Sequence, residues 1–312
     1  MKILVTGGAG FIGSHVVDAL INLGHEVVVI DNLSSGRREN LNPAAKFYEL
    51  SIRDESLSAI FEQEKPEIVN HHAAQIEVRK STDDPVFDAE ENILGSLNVI
   101  VNSLRSGVKR IIYASSGGAV YGDPEYLPAD EKHPVNPVSQ YGVSKHAVEH
   151  YLYLYSVLHG IEHIILRYAN VYGPRQNPHG EAGVISIFAA LMLSGQRPSI
   201  FGPGDKTRDY IHVSDIVKAN ILALEKEKNA IYNIGTGVET SDQEIFDTLA
   251  KVLGYSGTPI YAPVRTGEVY RICLNADNAR QELGWSSKIA LEEGMEQTAE
   301  YYRVLARSSP PK

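Results

Sequence analysis

Apolar residues in the first half of the chain follow two rhythms. Short runs rich in Val and Ile occupy residues 3–6, 26–30, 68–70, 110–114 and 163–168. Longer stretches with helical spacing lie between them, at 11–23, 85–106 and 139–159. Alternation of this kind predicts a parallel, doubly wound α/β sheet, with strands that read as continuous apolar runs because both faces are covered. After residue 173 the rhythm breaks. Gly and Pro punctuate Gly173-Pro174, Gly202-Pro203-Gly204 and Gly235-Thr236-Gly237. Helical spacing returns near 213–227, 241–253, 275–283 and 291–307. The expected organisation is a sheet domain over 1–173, a smaller substrate-binding lobe over 174–307 interleaved with the end of the sheet, and a frayed tail at 308–312.

The turn after the first run reads Thr6-Gly7-Gly8-Ala9-Gly10-Phe11-Ile12-Gly13. Glycines at 7, 10 and 13 allow a tight turn and close approach to a pyrophosphate, and the helix that follows offers N–H groups and a positive dipole end. Asp31 ends the second run, where an acid binds the ribose 2′-hydroxyl of a dinucleotide. The fold expected is therefore Rossmann-type. An acid there favours NAD over NADP, although Arg37 and Arg38 leave NADP open.

A second cluster follows in Tyr141-Gly142-Val143-Ser144-Lys145. Tyr at i and Lys at i+4 share one helix face. An ammonium beside a phenol lowers its pKa, so Tyr141 is expected to be a general base that takes a hydroxyl proton while hydride leaves the same carbon. The run at 110–114 leads into Ser115-Ser116-Gly117-Gly118, placing hydroxyls at the carboxyl end of a central strand, where such folds bind ligands. Ser116 is expected to orient the substrate hydroxyl.

Composition narrows the field. The chain has 312 residues, 43% hydrophobic, a net charge of −10 and one cysteine, Cys273. The acidic balance gives no attraction to nucleic acid or anionic membrane, and an internal disulfide cannot form. No signal peptide or membrane-length apolar run is evident, so a cytoplasmic protein is expected, with no metal site.

These motifs resemble the extended short-chain dehydrogenase/reductase family, and within it the UDP-glucose (UDP-galactose) 4-epimerases. The resemblance covers nearly the whole chain, through residues 4–14, 31–36, 71–75, 115–122, 141–145, 166–175, 181–184, 200–202, 208–213, 233–237 and 283–285. It implies that Gly7, Gly10, Phe11, Ile12, Gly13, Asp31 and Asn32 contact NAD. It places Ile52 near the adenine, Ala73, Ala74 and Lys145 near the nicotinamide ribose, and Asn92 close by. Asn170 would meet the sugar or phosphates, Phe201 the uracil, Arg208 and Arg265 the diphosphate, and Glu268 the uridine ribose. The implied activity is NAD-dependent 4-epimerisation of a UDP-hexose through a transient 4-keto sugar. Open alternatives are 4-epimerases of UDP-glucuronate, UDP-pentoses or UDP-N-acetylhexosamines, a 4,6-dehydratase, and a non-catalytic NAD sensor. Ile272 stands where some relatives carry a bulky Tyr, so a roomier wall is expected. The family also implies a homodimer built from the helices at 85–106 and 139–159.

Overall fold

The computed structural model describes residues 1–179, 183–226, 229–264 and 269–308. Seven parallel strands form the central sheet, in the spatial order Ala230–Ile234, Glu162–Tyr168, Arg110–Ser116, Ile68–His71, Lys2–Thr6, Glu26–Asp31 and Lys46–Glu49. The five strands expected from the apolar runs are present within a residue or two of their predicted ends. Two more were not foreseen. Lys46–Glu49 is a short edge strand, and Ala230–Ile234 comes from the second half of the chain and closes the opposite edge.

Strand periodicity explains the layering. Ile3, Val5, Val27 and Val29 face one core, while Leu4, Val28, Ile30 and Val69 face the other. The helix Phe11–Asn22 and the helix Val213–Ala223 cover the first face. The helices Leu57–Glu64, Gly95–Arg105 and Gln140–His159 cover the second. A third core belongs to the smaller lobe, where Phe188, Met192, Tyr210, Phe246, Leu249 and Met295 pack together. Trp285 fastens the C-terminal segment back onto the sheet domain, and its indole N–H donates to the Asp215 carbonyl at 2.8 Å.

The expected helix at 85–106 is broken. It runs as Pro85–Ala89, a wide π turn over Glu90–Leu94, and Gly95–Arg105. The extra residue in the π turn carries Asn92 inward, to 2% exposure. The helix Gln140–His159 is regular. Ser139 caps it by accepting from the Gly142 N–H, and Gly160 ends it in the left-handed conformation.

One buried ion pair locks that helix to the sheet. Glu149 accepts from Arg167 of the strand Glu162–Tyr168 through both oxygens, at 2.9 and 2.6 Å, and from Ser115 Oγ at 2.6 Å. Arg167 also donates to Tyr121 Oη at 3.0 Å. Burial opposes the Glu149 charge, yet the bonds from Arg167 win and hold its carboxyl at about 2. Arg167→Met should therefore cost about 3–5 kcal/mol, because it strands a buried carboxylate, and a urea midpoint measures the loss. The Glu149 contribution is present above its ordinary value of 4.5 and is lost as pH falls from there through about 2. Acid unfolding of Glu149→Gln should accordingly depend less on pH across that interval than unfolding of the parent.

Candidate active site

The site forms where the strand order turns back on itself, between Lys2–Thr6 and Ile68–His71. Both strands point their carboxyl ends to the same edge, and the loops leaving them diverge to open a crevice. Gly7 holds φ +69°, and a Cβ on it would come within 2.7 Å of the Ala73 backbone nitrogen. Thr6 Oγ1 accepts from that same N–H at 3.1 Å. Gly13 is tighter still, since a Cβ there would lie 2.2 Å from the Gly7 carbonyl oxygen. Gly10 caps the helix Phe11–Asn22 with no side-chain bond, which leaves first-turn amides available to an anion. These contacts fit a dinucleotide pyrophosphate.

Asp31 is aimed by the backbone. Its carboxylate accepts from the Ala9 N–H at 3.0 Å and the Leu33 N–H at 2.8 Å. Burial still raises its pKa. Asn32 is exposed and bonds the Ser34 N–H at 3.0 Å. Arg38 is paired to Glu49 instead of turning toward Asp31, and Arg37 lies 3.7 Å from Glu39. Phe11 and Ile12 open the first helix and are half-buried. Ile52 packs on Gly95 within the second core, at 5% exposure. Ala73 and Ala74 are half-buried in the loop after His71. Asn92 binds that loop: it donates to the Gln75 carbonyl at 3.0 Å and accepts from the Gln75 N–H at 2.8 Å.

The fold brings Ser116, Tyr141 and Lys145 together. Ser116, at the end of its strand, hydrogen-bonds the Tyr141 phenol. Lys145 lies one turn on, 5.8 Å from the Tyr141 ring centre and 5.0 Å from that of Tyr113. Its ammonium donates to the Ala114 carbonyl at 2.9 Å. Asn170 reaches in from the other side, with Oδ1 3.3 Å from the point where a Gly118 Cβ would stand. The helix carrying Tyr141 can approach only because Gly142 has no side chain; a Cβ there would lie 2.6 Å from the Ala119 carbonyl oxygen.

The electrostatics correct one expectation. Tyr141 is not lowered toward neutrality by its lysine. Burial pushes the phenol up to about 12, the Ser116 bond opposes the rise, and the charge of Asp88 adds to it. Lys145 is lowered to about 8, again by burial, with Asp88 and Glu149 pulling it back up. Withdrawal from water outweighs the attraction between the two groups.

The other predicted residues scatter more widely. Phe201 ends a short strand, Ser199–Phe201, paired with Ile260–Ala262, and is half-buried. Arg208 does not pair with Asp209. It donates to the carbonyls of Thr207 at 2.7 Å and Tyr270 at 3.2 Å, and to that of Val269. Asp209 instead gathers the N–H groups of Thr236, Gly237 and Leu274. Ile272 is 1% exposed inside the main core, so it is packing and not the roomy wall expected of it. Arg265 and Glu268 lie outside the described residues. Among the described residues, no three His, Cys, Asp or Glu side chains are grouped to hold a metal, and no helix is long and apolar enough to cross a membrane.

Asp88 was missed by sequence reasoning. It sits in no recognised motif, and only the fold brings it beneath Tyr141 and Lys145.

Comparison with known proteins agrees with this geometry. A putative UDP-glucose 4-epimerase of Methanocaldococcus jannaschii is 51% identical over 96% of this chain and 98% of its own length. The crystal structure of UDP-glucose 4-epimerase from Thermotoga maritima with UDP-glucose superposes with a TM-score of 0.97, at 49% identity, covering 98% of this chain and all of that one. The Thermus thermophilus UDP-glucose 4-epimerase in complex with NAD gives 0.92 at 42% identity, covering 97% and 99%. Residues 3–235 match the NAD dependent epimerase/dehydratase family, and the chain belongs to that family.

Proposed function

We propose that the protein is an NAD-dependent UDP-glucose 4-epimerase that interconverts UDP-glucose and UDP-galactose through a 4-keto sugar. The observation that carries this reading is the Ser116–Tyr141–Lys145 cluster, gathered at the carboxyl edge of the same parallel sheet whose first strand runs into the Gly7–Gly13 turn. Relatives named for this reaction, alike over almost the whole chain, support it.

In this reading Gly7, Gly10 and Gly13 admit the pyrophosphate of NAD, assisted by the first-turn amides of Phe11 and Ile12. Asp31 and Asn32 hold the adenosine ribose, and Ile52 borders the adenine. Ala73, Ala74, Tyr141 and Lys145 flank the nicotinamide end, and Asn92 acts on it by bracing the loop of Ala73 and Ala74. Bound NAD supplies a reversible acceptor for the two electrons and the hydrogen lost from sugar C4, and its positive charge favours a neighbouring phenolate.

Tyr141 takes the proton from the 4-hydroxyl, and Ser116 holds that hydroxyl and shares the proton. Lys145 stabilises the phenolate as it forms. The same phenol returns the proton once the sugar has turned its other face. Asn170, Phe201, Arg208, Arg265 and Glu268 anchor the nucleotide and diphosphate, so that binding energy sits on the part of the substrate that does not turn. Residues 1–173 thus serve mainly the cofactor and 174–307 mainly the nucleotide sugar.

Dehydratase chemistry on this scaffold needs an acid pair at 117–118. Both positions are Gly, and a Cβ on Gly117 would lie 2.5 Å from Leu274 Cδ1. Neither acid is present in this chain.

A homodimer completes the proposal. Tyr153, Leu154, Val157 and Leu158 of the helix Gln140–His159 are 43–64% exposed, and Val86 and Leu94 of the neighbouring broken helix are 67% and 58% exposed. A second copy would cover this apolar stripe.

Three outcomes are expected. Tyr141→Phe should retain its fold and lose at least about 100-fold in turnover of UDP-galactose to UDP-glucose; a near-parental rate would sink the assignment. Gly13→Ala should weaken NAD by about tenfold or more in calorimetric titration, since the methyl drives into the Gly7 carbonyl. Sedimentation should give a dimer that Val157→Glu dissociates, and a monomeric parent would remove the interface.

A further inference from the structure

Asp88 lies in the helix Pro85–Ala89 and is fully buried. Its Oδ2 accepts from Ser144 Oγ at 2.6 Å. Its Oδ1 accepts from Asn92 Nδ2 and Gln75 Nε2, each at 3.0 Å. The two amides can only donate through nitrogen, so the cradle suits the ionised carboxylate. All three donors are neutral. They come from three segments: the helix of Tyr141 and Lys145, the π turn, and the loop that carries Ala73 and Ala74. A buried anion ringed only by neutral groups is costly unless a cation lies close enough to offset it. Lys145, the residue after Ser144, is also buried, and the negative charge of Asp88 favours its protonated form.

We propose that Asp88 is a positioning residue for the Tyr141–Lys145 pair, fixing the start of their helix through Ser144 and keeping the Lys145 side chain in its charged form. The proposal rests on the epimerase reading for its catalytic meaning.

The surroundings isolate this effect. From the strand Ile68–His71 and the residue after it, His71 and His72 are lowered to about 3 by burial and stay neutral near pH 7. From the strand Arg110–Ser116, the buried Tyr113 phenol is raised well above its ordinary value. On the helix of Tyr141 itself, Glu149 stays ionised against Arg167 of the adjacent strand. Lys145 is the group of this cluster that changes charge close to neutrality. Asp88 raises both Lys145 and Tyr141. Removing its charge should move both downward, and the whole pH–rate profile with them. A purely structural role would lower the rate without moving the profile.

The test is a pair of titrations on the full chain, with and without added NAD. The Lys145 side-chain resonance is followed by NMR in protein carrying labelled lysine, and the pH dependence of kcat is recorded beside it. In Asp88→Asn, which keeps shape and loses charge, both midpoints should fall by about one pH unit. Ser144→Ala cuts the hydrogen bond and keeps the charge, so it should lower kcat and leave the Lys145 midpoint in place. Equal Lys145 midpoints in parent and folded Asp88→Asn would overturn the proposal. Should Asp88→Asn not fold, the carboxyl carbon resonance of Asp88 in the parent decides: a protonated group at neutral pH overturns the proposal, and an ionised one supports it. The lysine titration needs no turnover. An inactive parent would therefore remove the epimerase reading and leave the Asp88 result standing.

Discussion

The buried bond between Glu149 and Arg167 is the constraint on which the site hangs. It joins the middle of the helix Gln140–His159 to the strand Glu162–Tyr168, and Ser115 ties in the strand between them. Three elements meet at one carboxylate that water does not reach. Lys145 and Tyr141 lie on the same helix one and two turns earlier, and Ser116 is the next residue after Ser115. A slip of the helix by one residue would break this pairing and part the phenol from the serine together. Such a pair contributes specificity of packing more than net stability, because its desolvation offsets much of its attraction.

The opposite wall of the crevice obeys a steric constraint. Gly7, Gly13 and the Ala73 backbone crowd to distances no side chain tolerates. That crowding brings the loop after His71 against the glycine turn, and the bond from the Ala73 N–H to Thr6 fixes it there. Asn92 and Gln75 then carry the constraint outward to the π turn. The dinucleotide end and the chemical end are therefore joined through Asp88, which takes hydrogen bonds from both sides.

Much of this was legible in the sequence because it depends on local pattern. Apolar runs marked five strands, Gly7 to Gly13 marked the turn, and Tyr141 and Lys145 shared a helix face by spacing alone. What escaped depends on long-range pairing. Lys46–Glu49 has only two aromatic residues between charges, and it is held by Lys46 and Tyr48 bonding Glu64 across the sheet edge. Ala230–Ile234 follows a helix that the spacing at 213–227 extended too far, whereas the structure ends it at Ala223. The π turn adds one residue to a helix whose apolar spacing still reads as regular. The match to a bulky Tyr in some relatives marks Ile272 as a cavity wall, but the core closes over it. The resemblance singles out Arg208 for the diphosphate, yet its backbone partners at 269 and 270 are distant in sequence.

The phenol shows where local reasoning about charge fails. Spacing places an ammonium near Tyr141 and suggests a ready phenolate. The fold buries Lys145 and half-buries Tyr141, and desolvation acts on each against its charged form. The chain alone therefore keeps Tyr141 protonated at neutral pH, which avoids a buried phenolate and its free-energy cost. Under the proposed function, a base that ionises readily only beside an added positive charge would suit a reaction that begins once the crevice is filled. Asp88 works in the same direction on the phenol and against burial on the lysine: it adds to the rise that desolvation imposes on Tyr141 and offsets part of the fall that desolvation imposes on Lys145.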